Sequence, residues 1–328
     1  MAGTISVRLR SRSKKQGIKQ LPESIELPLN ASVEDAKKAI AKQAKVSDFN
    51  RLGLYDPTTN KTLKDRKALI KDCENVVSAG EMLVKDLGTQ IAWRTVFVIE
   101  YLGPILFHVL FAAARQYIYP LTGTYPGAKV GDIPAMTTTQ WACFALFLLH
   151  FLKREVETLF VHRFAANTMP AWNLFRNSAL YWLGGGLLCS LVIYAPAGYQ
   201  LLGFVPIFNI VREGLMPLDH LGIAIFTYGE VLNGVVHLHL ASLRAPGTTG
   251  KGIPSCVGSS LVTCPNYMFE IIAWVGMIIV SRSWAVALTI FFGSLYMRMW
   301  SRGKEKELRQ LFPDKYKKKR YTMLPGLV

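Results

Sequence analysis

The chain has 328 residues, of which 51% are hydrophobic, and it carries 38 Lys and Arg against 22 Asp and Glu, a formal net charge of +16. The basic residues are not interleaved with a motif that reads DNA or RNA, which argues against a nucleic-acid-binding protein. The five cysteines have neither C-x-x-C nor His/Cys ligand spacing, which argues against a disulfide framework and a zinc site. Polar ends that flank an apolar middle predict a small soluble domain followed by a membrane domain.

Residues 1–86 predict a small α+β domain, because short alternating segments in the period of a β-strand surround one segment with helical periodicity. The helix is expected to begin after Ser32, a residue type that caps helix N-termini. The order of these elements is that of a ubiquitin-like β-grasp domain, which we expect to be cytosolic. The predicted elements are strands at 4–10, 24–29, 51–55 and 82–84 and a helix at 33–45.

Residues 87–328 predict an α-helical membrane domain of about six transmembrane helices, since each span requires roughly 17–25 residues. The basic tail 301–328 follows the last apolar run, so the positive-inside rule places it in the cytosol. Residues 1–20 are polar and resemble no cleavable signal peptide, so both termini are expected to be cytosolic. The apolar runs lie at 91–113, 136–160, 175–195, 199–243, 264–281 and 283–300, and 199–243 is expected to hold two helices broken around Arg212 and Glu213.

Charged and polar side chains lie inside or beside these apolar runs, where an ionisable group is costly and therefore indicates a functional site. Glu100 lies about ten residues into the first run. Lys153 and Glu157 are spaced i,i+4, which allows an ion pair, while a phosphate contact by Lys153 is the alternative. Together these residues predict a polar pocket within a helical bundle. The full set is Glu100, Lys153, Glu157, Glu230, Asn233, His237, Glu270 and Arg298.

Asn233 and His237 are one helical turn apart and share a face, and Arg244 follows two turns later, so the three side chains are expected to line a cofactor pocket. The Gly-, Pro- and Ser-rich loop 246–260 comes next and is expected to be exposed and mobile.

Tyr267 follows this loop, and Glu270 lies about one turn further on. A tyrosine in a membrane helix is ordinarily an interfacial residue. The polar neighbours Asn266 and Glu270 favour a functional role for Tyr267 instead.

Four motifs carry a resemblance to a known family: Asp86–Gln90, Glu100–Pro104, Glu157–Phe164 and Cys264–Tyr267. Residues 87–328 resemble the steroid 5α-reductase superfamily, and the whole chain is similar to its very-long-chain trans-2-enoyl-CoA reductases. The resemblance implies reduction of a very-long-chain trans-2-enoyl-CoA to saturated acyl-CoA, the last step of the fatty-acid elongation cycle. It also implies an endoplasmic reticulum membrane location and elongase-complex partners such as a condensing enzyme and a dehydratase.

The resemblance also implies roles for single residues. Tyr267 stands where the family places its catalytic tyrosine, and Gln90, Glu100 and Lys153 match positions that the family needs for activity. NADPH is the implied cofactor and would supply hydride to Cβ, while Tyr267 would protonate Cα. The chain has no Gly-x-Gly-x-x-Gly, so a Rossmann domain is not expected to hold the nucleotide. The residues assigned to the cofactor are Asn233, His237, Arg244, Asn266, Glu270 and Lys304; no metal is expected.

Three alternatives remain open. A sterol or steroid enone reductase of the same superfamily would differ in substrate only. A membrane methyltransferase would use S-adenosylmethionine and would need no tyrosine as a proton donor. A membrane scaffold would bind partners through the ubiquitin-like domain, and its buried charges would serve only to pack helices.

Overall fold

The computed structural model describes residues 3–13, 17–124, 129–164, 167–207, 212–244 and 251–327. The described residues form two compact units. The first contains those within 1–93 and 164–173, and the second those within 94–163, 174–244 and 251–327. The first five residues of the loop that we expected to be mobile, 246–250, lie outside the described part of the chain.

The first unit contains a mixed four-stranded sheet with a helix packed on it. The strands are ordered β2-β1-β4-β3, and only β1 and β4 run parallel. Ser32 caps helix α1 by exchanging hydrogen bonds with Asp35, which satisfies two free N–H groups at the helix start. All the elements predicted for this region are therefore confirmed. They are β1 (Thr4–Ser11), β2 (Ser24–Pro28), α1 (Val33–Gln43), β3 (Leu52–Tyr55) and β4 (Glu81–Asp86), with a short helix α2 (Glu74–Ala79) before β4.

Two further strands belong to the first unit. Strand β5 (Gln90–Ala92) pairs antiparallel with a strand at Thr168–Pro170, so a segment distant in sequence returns to the end of this unit.

The second unit is helical. Its helices are α3 (Trp93–Ala113), α4 (Arg115–Thr122), α5 (Thr138–Val156), α6 (Trp172–Ala179), α7 (Cys189–Ile193), α8 (Pro217–Ser242), α9 (Pro265–Ser281) and α10 (Trp284–Leu311). A π-helical turn at Glu157–Val161 continues α5, and another at Leu180–Leu188 joins α6 to α7. By length and hydropathy, α3 and α8 are candidate membrane spans, and α9 is a shorter apolar helix. The protein is thus rich in helix and carries two candidate membrane spans among its described residues.

Residues 199–243 hold one described helix where two were expected. Gln200–Leu201 and Val205–Pro206 pair as short strands, because Gly203 adopts a positive φ of 78° that turns the chain. Arg212, expected at a helix break, instead precedes α8 and donates two hydrogen bonds to the buried carboxylate of Asp219 in its first turn. Hydropathy alone missed this turn because the residues around it are apolar.

Helices α8 and α9 approach each other through small residues. A Cβ atom added at Gly229 would lie 2.5 Å from the backbone nitrogen of Ala273, and one added at Gly276 would lie 2.5 Å from that of Phe226. Small residues at such crossings allow close backbone contact, as in other membrane helix pairs. This close contact brings polar side chains of α8 within hydrogen-bonding distance of α9.

We expect Gly229→Ala to lower the free energy of unfolding by about 1–3 kcal/mol, because the added methyl group collides with the α9 backbone. Gly303→Ala is the matched control, since a Cβ atom there meets nothing within 4 Å. The control should raise helix stability by about 0.5–1 kcal/mol. Denaturant unfolding in detergent measures both, and equal effects of the two substitutions would contradict the close helix contact.

Candidate active site

Charged side chains of three helices meet at one end of the helical unit. They come from the C-terminal end of α5 with its π-helical turn, the C-terminal half of α8 and the N-terminal half of α9. We call this group the charged cluster. Its members are His150, Lys153, Arg154, Glu157, Glu230, Asn233, His237 and Glu270.

Lys153 joins α5 to α8. Its Nζ lies 3.1 Å from Oε1 of Glu157 and 3.0 Å from Oε2 of Glu230, and it donates a hydrogen bond of 2.7 Å to Oδ1 of Asn233. The expected i,i+4 pair with Glu157 is therefore present. One hydrogen bond and two ion pairs therefore hold Lys153 within the cluster.

His150 connects carboxylates of two other helices. Its Nδ1 lies 2.6 Å from Oε1 of Glu230 on α8, and its Nε2 lies 3.5 Å from Oε1 of Glu270 on α9. Trp274 donates a further hydrogen bond of 3.2 Å to Oε1 of Glu270. The sequence did not single out His150, because its partners are 80 and 120 residues away and no local spacing indicates them.

Arg154 and Glu157 extend the cluster toward α3. Oε2 of Glu157 lies 3.2 Å from Nη1 of Arg154 and 2.9 Å from Nδ1 of His237. Nη2 of Arg154 donates a hydrogen bond of 2.8 Å to the hydroxyl of Tyr101, and the guanidinium lies 5.0 Å from the centroid of that ring. Glu157 begins the π-helical turn, a feature frequent at functional sites.

Tyr267 lies half-buried in the first turn of α9. Arg154 and Glu270 lie close enough to Tyr267 for their charges to act on its hydroxyl. No hydrogen bond within the described part of the chain involves this hydroxyl, so it remains available to a ligand.

Asn233 ties α8 to the same turn of α9. Its Nδ2 donates to the carbonyl oxygen of Asn266 at 2.9 Å and to Oε2 of Glu270 at 3.3 Å. Three of the residues assigned to the cofactor, Asn233, Asn266 and Glu270, are therefore in direct contact beside Tyr267.

Glu100 is a buried acid with an unpartnered atom. Its side chain on α3 is 2% exposed, and its Oε1 has no hydrogen-bond partner among the described residues. Leaving a buried polar atom unpaired costs roughly 1–3 kcal/mol.

The remaining candidates lie elsewhere. Gln90 belongs to the first unit, where its side-chain amide donates to the carbonyl oxygens of Leu87 and Gly88 at 3.1 and 3.3 Å. Arg244 lies two residues beyond α8, and it exchanges hydrogen bonds with Arg163 through each other's backbone carbonyl groups. It therefore does not continue the Asn233–His237 helix face as expected.

Lys304 is also separate from the cluster's contacts. It lies exposed on α10, and its Nζ is 3.5 Å from Oε2 of Glu307.

Glu157, His162 and His237 offer ligand atoms within 4.8 Å of one another, as a metal ion would require. Arg154 already lies among them, with Nη1 3.2 Å from Glu157 and 3.3 Å from both ring nitrogens of His237. A second cation there would be repelled by this guanidinium. The arrangement favours an internal ion pair over a metal site.

Comparisons with known proteins agree on one family. The model described as 3-oxo-5-alpha-steroid 4-dehydrogenase matches residues 167–328. A Schizosaccharomyces pombe protein whose name provisionally assigns it to the enoyl reductases is 33% identical over 327 residues, 98% of this chain and 99% of that protein. The very-long-chain enoyl-CoA reductase of Dictyostelium discoideum is 33% identical over 307 residues, which cover 91% of this chain and 93% of that protein. A human trans-2,3-enoyl-CoA reductase-like protein is 25% identical over 309 residues, which cover 91% of this chain and 78% of that protein. The chain therefore belongs to the enoyl-CoA reductase family, whose members are oxidoreductases.

Proposed function

We propose that this chain reduces the trans-2 double bond of very-long-chain enoyl-CoA with NADPH and so forms saturated acyl-CoA, in the last step of the fatty-acid elongation cycle. The observation that carries the proposal is the charged cluster beside a tyrosine whose hydroxyl is unengaged, in a chain whose Dictyostelium relative is named for this reaction. A scaffold would need neither an available hydroxyl nor the unpartnered carboxylate oxygen of Glu100.

The charged cluster fits the nicotinamide end of the cofactor. Asn233, Asn266 and Glu270 present amide and carboxylate groups of the kind that hydrogen-bond a carboxamide. Three carboxylates against the two fixed cations Lys153 and Arg154 give no surplus positive charge for phosphates. When bound, NADPH would supply the hydride that Cβ of the substrate accepts.

The side chains of the cluster divide into direct and supporting roles. Tyr267 donates a proton to Cα, and the field of Arg154 stabilises the negative charge that develops as the proton leaves. The free oxygen of Glu100 orients the thioester end or the tyrosine. Lys153 and His237 hold Glu157, Glu230 and Asn233 in position rather than contacting the cofactor. Gln90, Arg244 and Lys304 stay proposed contributors on the resemblance alone.

We also infer the wider organisation of the chain. Residues 1–86 are proposed to be a ubiquitin-like β-grasp domain, which the strand order β2-β1-β4-β3 and the packed helix α1 support. Residues 87–328 are proposed to be the catalytic membrane domain of about six spans, with the basic tail 301–328. An endoplasmic reticulum location, cytosolic termini and elongase partners follow from the resemblance.

The proposal is tested by NADPH oxidation with purified, detergent-solubilised protein and a long-chain trans-2-enoyl-CoA. We expect turnover with NADPH and a saturated acyl-CoA product identified by mass spectrometry. A steroid enone is the rival substrate, because the matching family model is described by a steroid reaction. Reduction of the enone alone would reassign the substrate, and the absence of any NADPH binding would support a scaffold.

A further inference from the structure

A basic cleft of about 460 Å³ lies where α10 ends and the chain turns back. None of the charged-cluster residues lines it. Five basic side chains and one acid do: Arg302, Arg309, Lys318, Lys319, Arg320 and Glu305. Resting on the proposed function, we infer that this cleft binds the phosphorylated adenosine end that acyl-CoA and NADPH share, a ribose phosphate with a 5′-diphosphate.

Glu305 organises the cleft rather than neutralising it. The acid is 5% exposed, and its Oε2 accepts hydrogen bonds of 2.5 Å from both the Tyr316 and Thr263 hydroxyls. Its Oε1 accepts a 3.3 Å hydrogen bond from the backbone N–H of Lys319. The carboxylate is thus occupied in folding the tail back against α10 and the segment before α9.

The basic side chains keep most of their charge available. Arg309 lies 3.7 Å from Glu305 at the edge of the cleft. The other four basic residues of the lining form no ion pair with an acid of the described chain, and Arg302, Lys318 and Arg320 are exposed. Guanidinium and ammonium groups gathered around one concave surface form charge-assisted hydrogen bonds with phosphate oxygens. The chemistry of the cleft therefore suits a multiply charged phosphate ligand.

The cleft is connected to the proposed active site through the backbone. Thr322, which lines the cleft, accepts a 2.9 Å hydrogen bond at its carbonyl oxygen from the N–H of Cys264. Cys264 immediately precedes α9, and Tyr267 lies three residues further on. Because the charged cluster has no surplus positive charge, the phosphates of either ligand need a separate basic site. The basic cleft supplies one on the segment that leads to Tyr267.

The test measures binding of CoA itself, without an acyl group, by calorimetry on the full-length protein in detergent. The double variant Lys318→Gln/Arg320→Gln removes two cleft charges. Lys315→Gln/Lys317→Gln removes two exposed tail charges that do not line the cleft and serves as the matched control. We expect the cleft variant to bind CoA at least about fivefold more weakly and the control to bind it as the wild type does.

Binding of three further ligands, dephospho-CoA, NADPH and NADH, distinguishes a site for the substrate from a site for the cofactor. Loss of the preference for CoA over dephospho-CoA in the cleft variant would support the site and assign it to the substrate. Weaker binding of NADPH but not NADH, with CoA unaffected, would support it and assign it to the cofactor. If the cleft variant bound CoA, dephospho-CoA, NADPH and NADH with unchanged affinity, the proposal would be overturned. The same holds if the variant lost only its binding to vesicles of anionic phospholipid. Wild-type protein that binds CoA without reducing an enoyl-CoA would overturn only the proposed function.

Discussion

Replacing Tyr267 with Phe is expected to lower the turnover of a long-chain trans-2-enoyl-CoA by about 10²–10⁴-fold, the usual contribution of general acid catalysis. The phenol is the proposed proton source for Cα, and phenylalanine keeps the ring while removing that proton. The hydroxyl has no hydrogen-bond partner in the described part of the chain, so its loss should leave the fold intact. NADPH affinity should therefore be unchanged while the chemical step slows.

Single-turnover reduction with NADPH already bound isolates the chemical step from substrate and cofactor binding. Tyr228→Phe is the matched control, because Tyr228 is 57% exposed on α8 and carries no proposed role. Retained turnover in Tyr267→Phe would transfer the proton donor to Glu100 or to water. Turnover that is also retained in the double variant Tyr267→Phe/Glu100→Gln would leave water as the proton donor.

Local patterns were sufficient to predict the four-stranded sheet and helix α1 of the first unit, but not α2, β5 or the strand at Thr168–Pro170. Alternation in β1 and helical spacing in α1 arise from contacts between neighbours in sequence, and the capping residue Ser32 fixes where α1 begins. The shared face of Asn233 and His237 follows from the same helical geometry. The structure places both side chains in the charged cluster, which the spacing of buried polar residues had anticipated.

Sequence spacing could not predict how the helices pair. Tyr101 contacts the cluster, and His150 belongs to it, only because α3, α5, α8 and α9 meet, and the partners of both lie more than 50 residues away. The chain turn at Gly203 was hidden by the apolar residues around it. Arg244 departs from the expected face because α8 ends at Ser242, within one residue of the end of the apolar run 199–243, and so does not extend to Arg244.

The position of Lys153 among three acceptors leads to a second prediction. Lys153→Met should lower the free energy of unfolding by about 3 kcal/mol, because it leaves the largely buried carboxylates of Glu157 and Glu230 without their shared cation. Lys304→Met should change it by less than about 1 kcal/mol, since that lysine is 51% exposed and its ion pair lies at the surface. Chemical denaturation in detergent measures both effects.

A second substitution separates a supporting role of Lys153 from a catalytic one. If Lys153 acts by balancing charge, Glu230→Gln should restore part of the stability lost in Lys153→Met, by about 1 kcal/mol or more, because it removes one uncompensated carboxylate. Turnover should recover with stability in the double variant, since the groups that Lys153 holds would regain their positions. Recovered stability with turnover still absent would instead give Lys153 a direct contact with substrate or cofactor. That outcome would still show that Lys153 stabilises the fold. It would contradict the proposal that Lys153 only supports the residues that carry out the reaction.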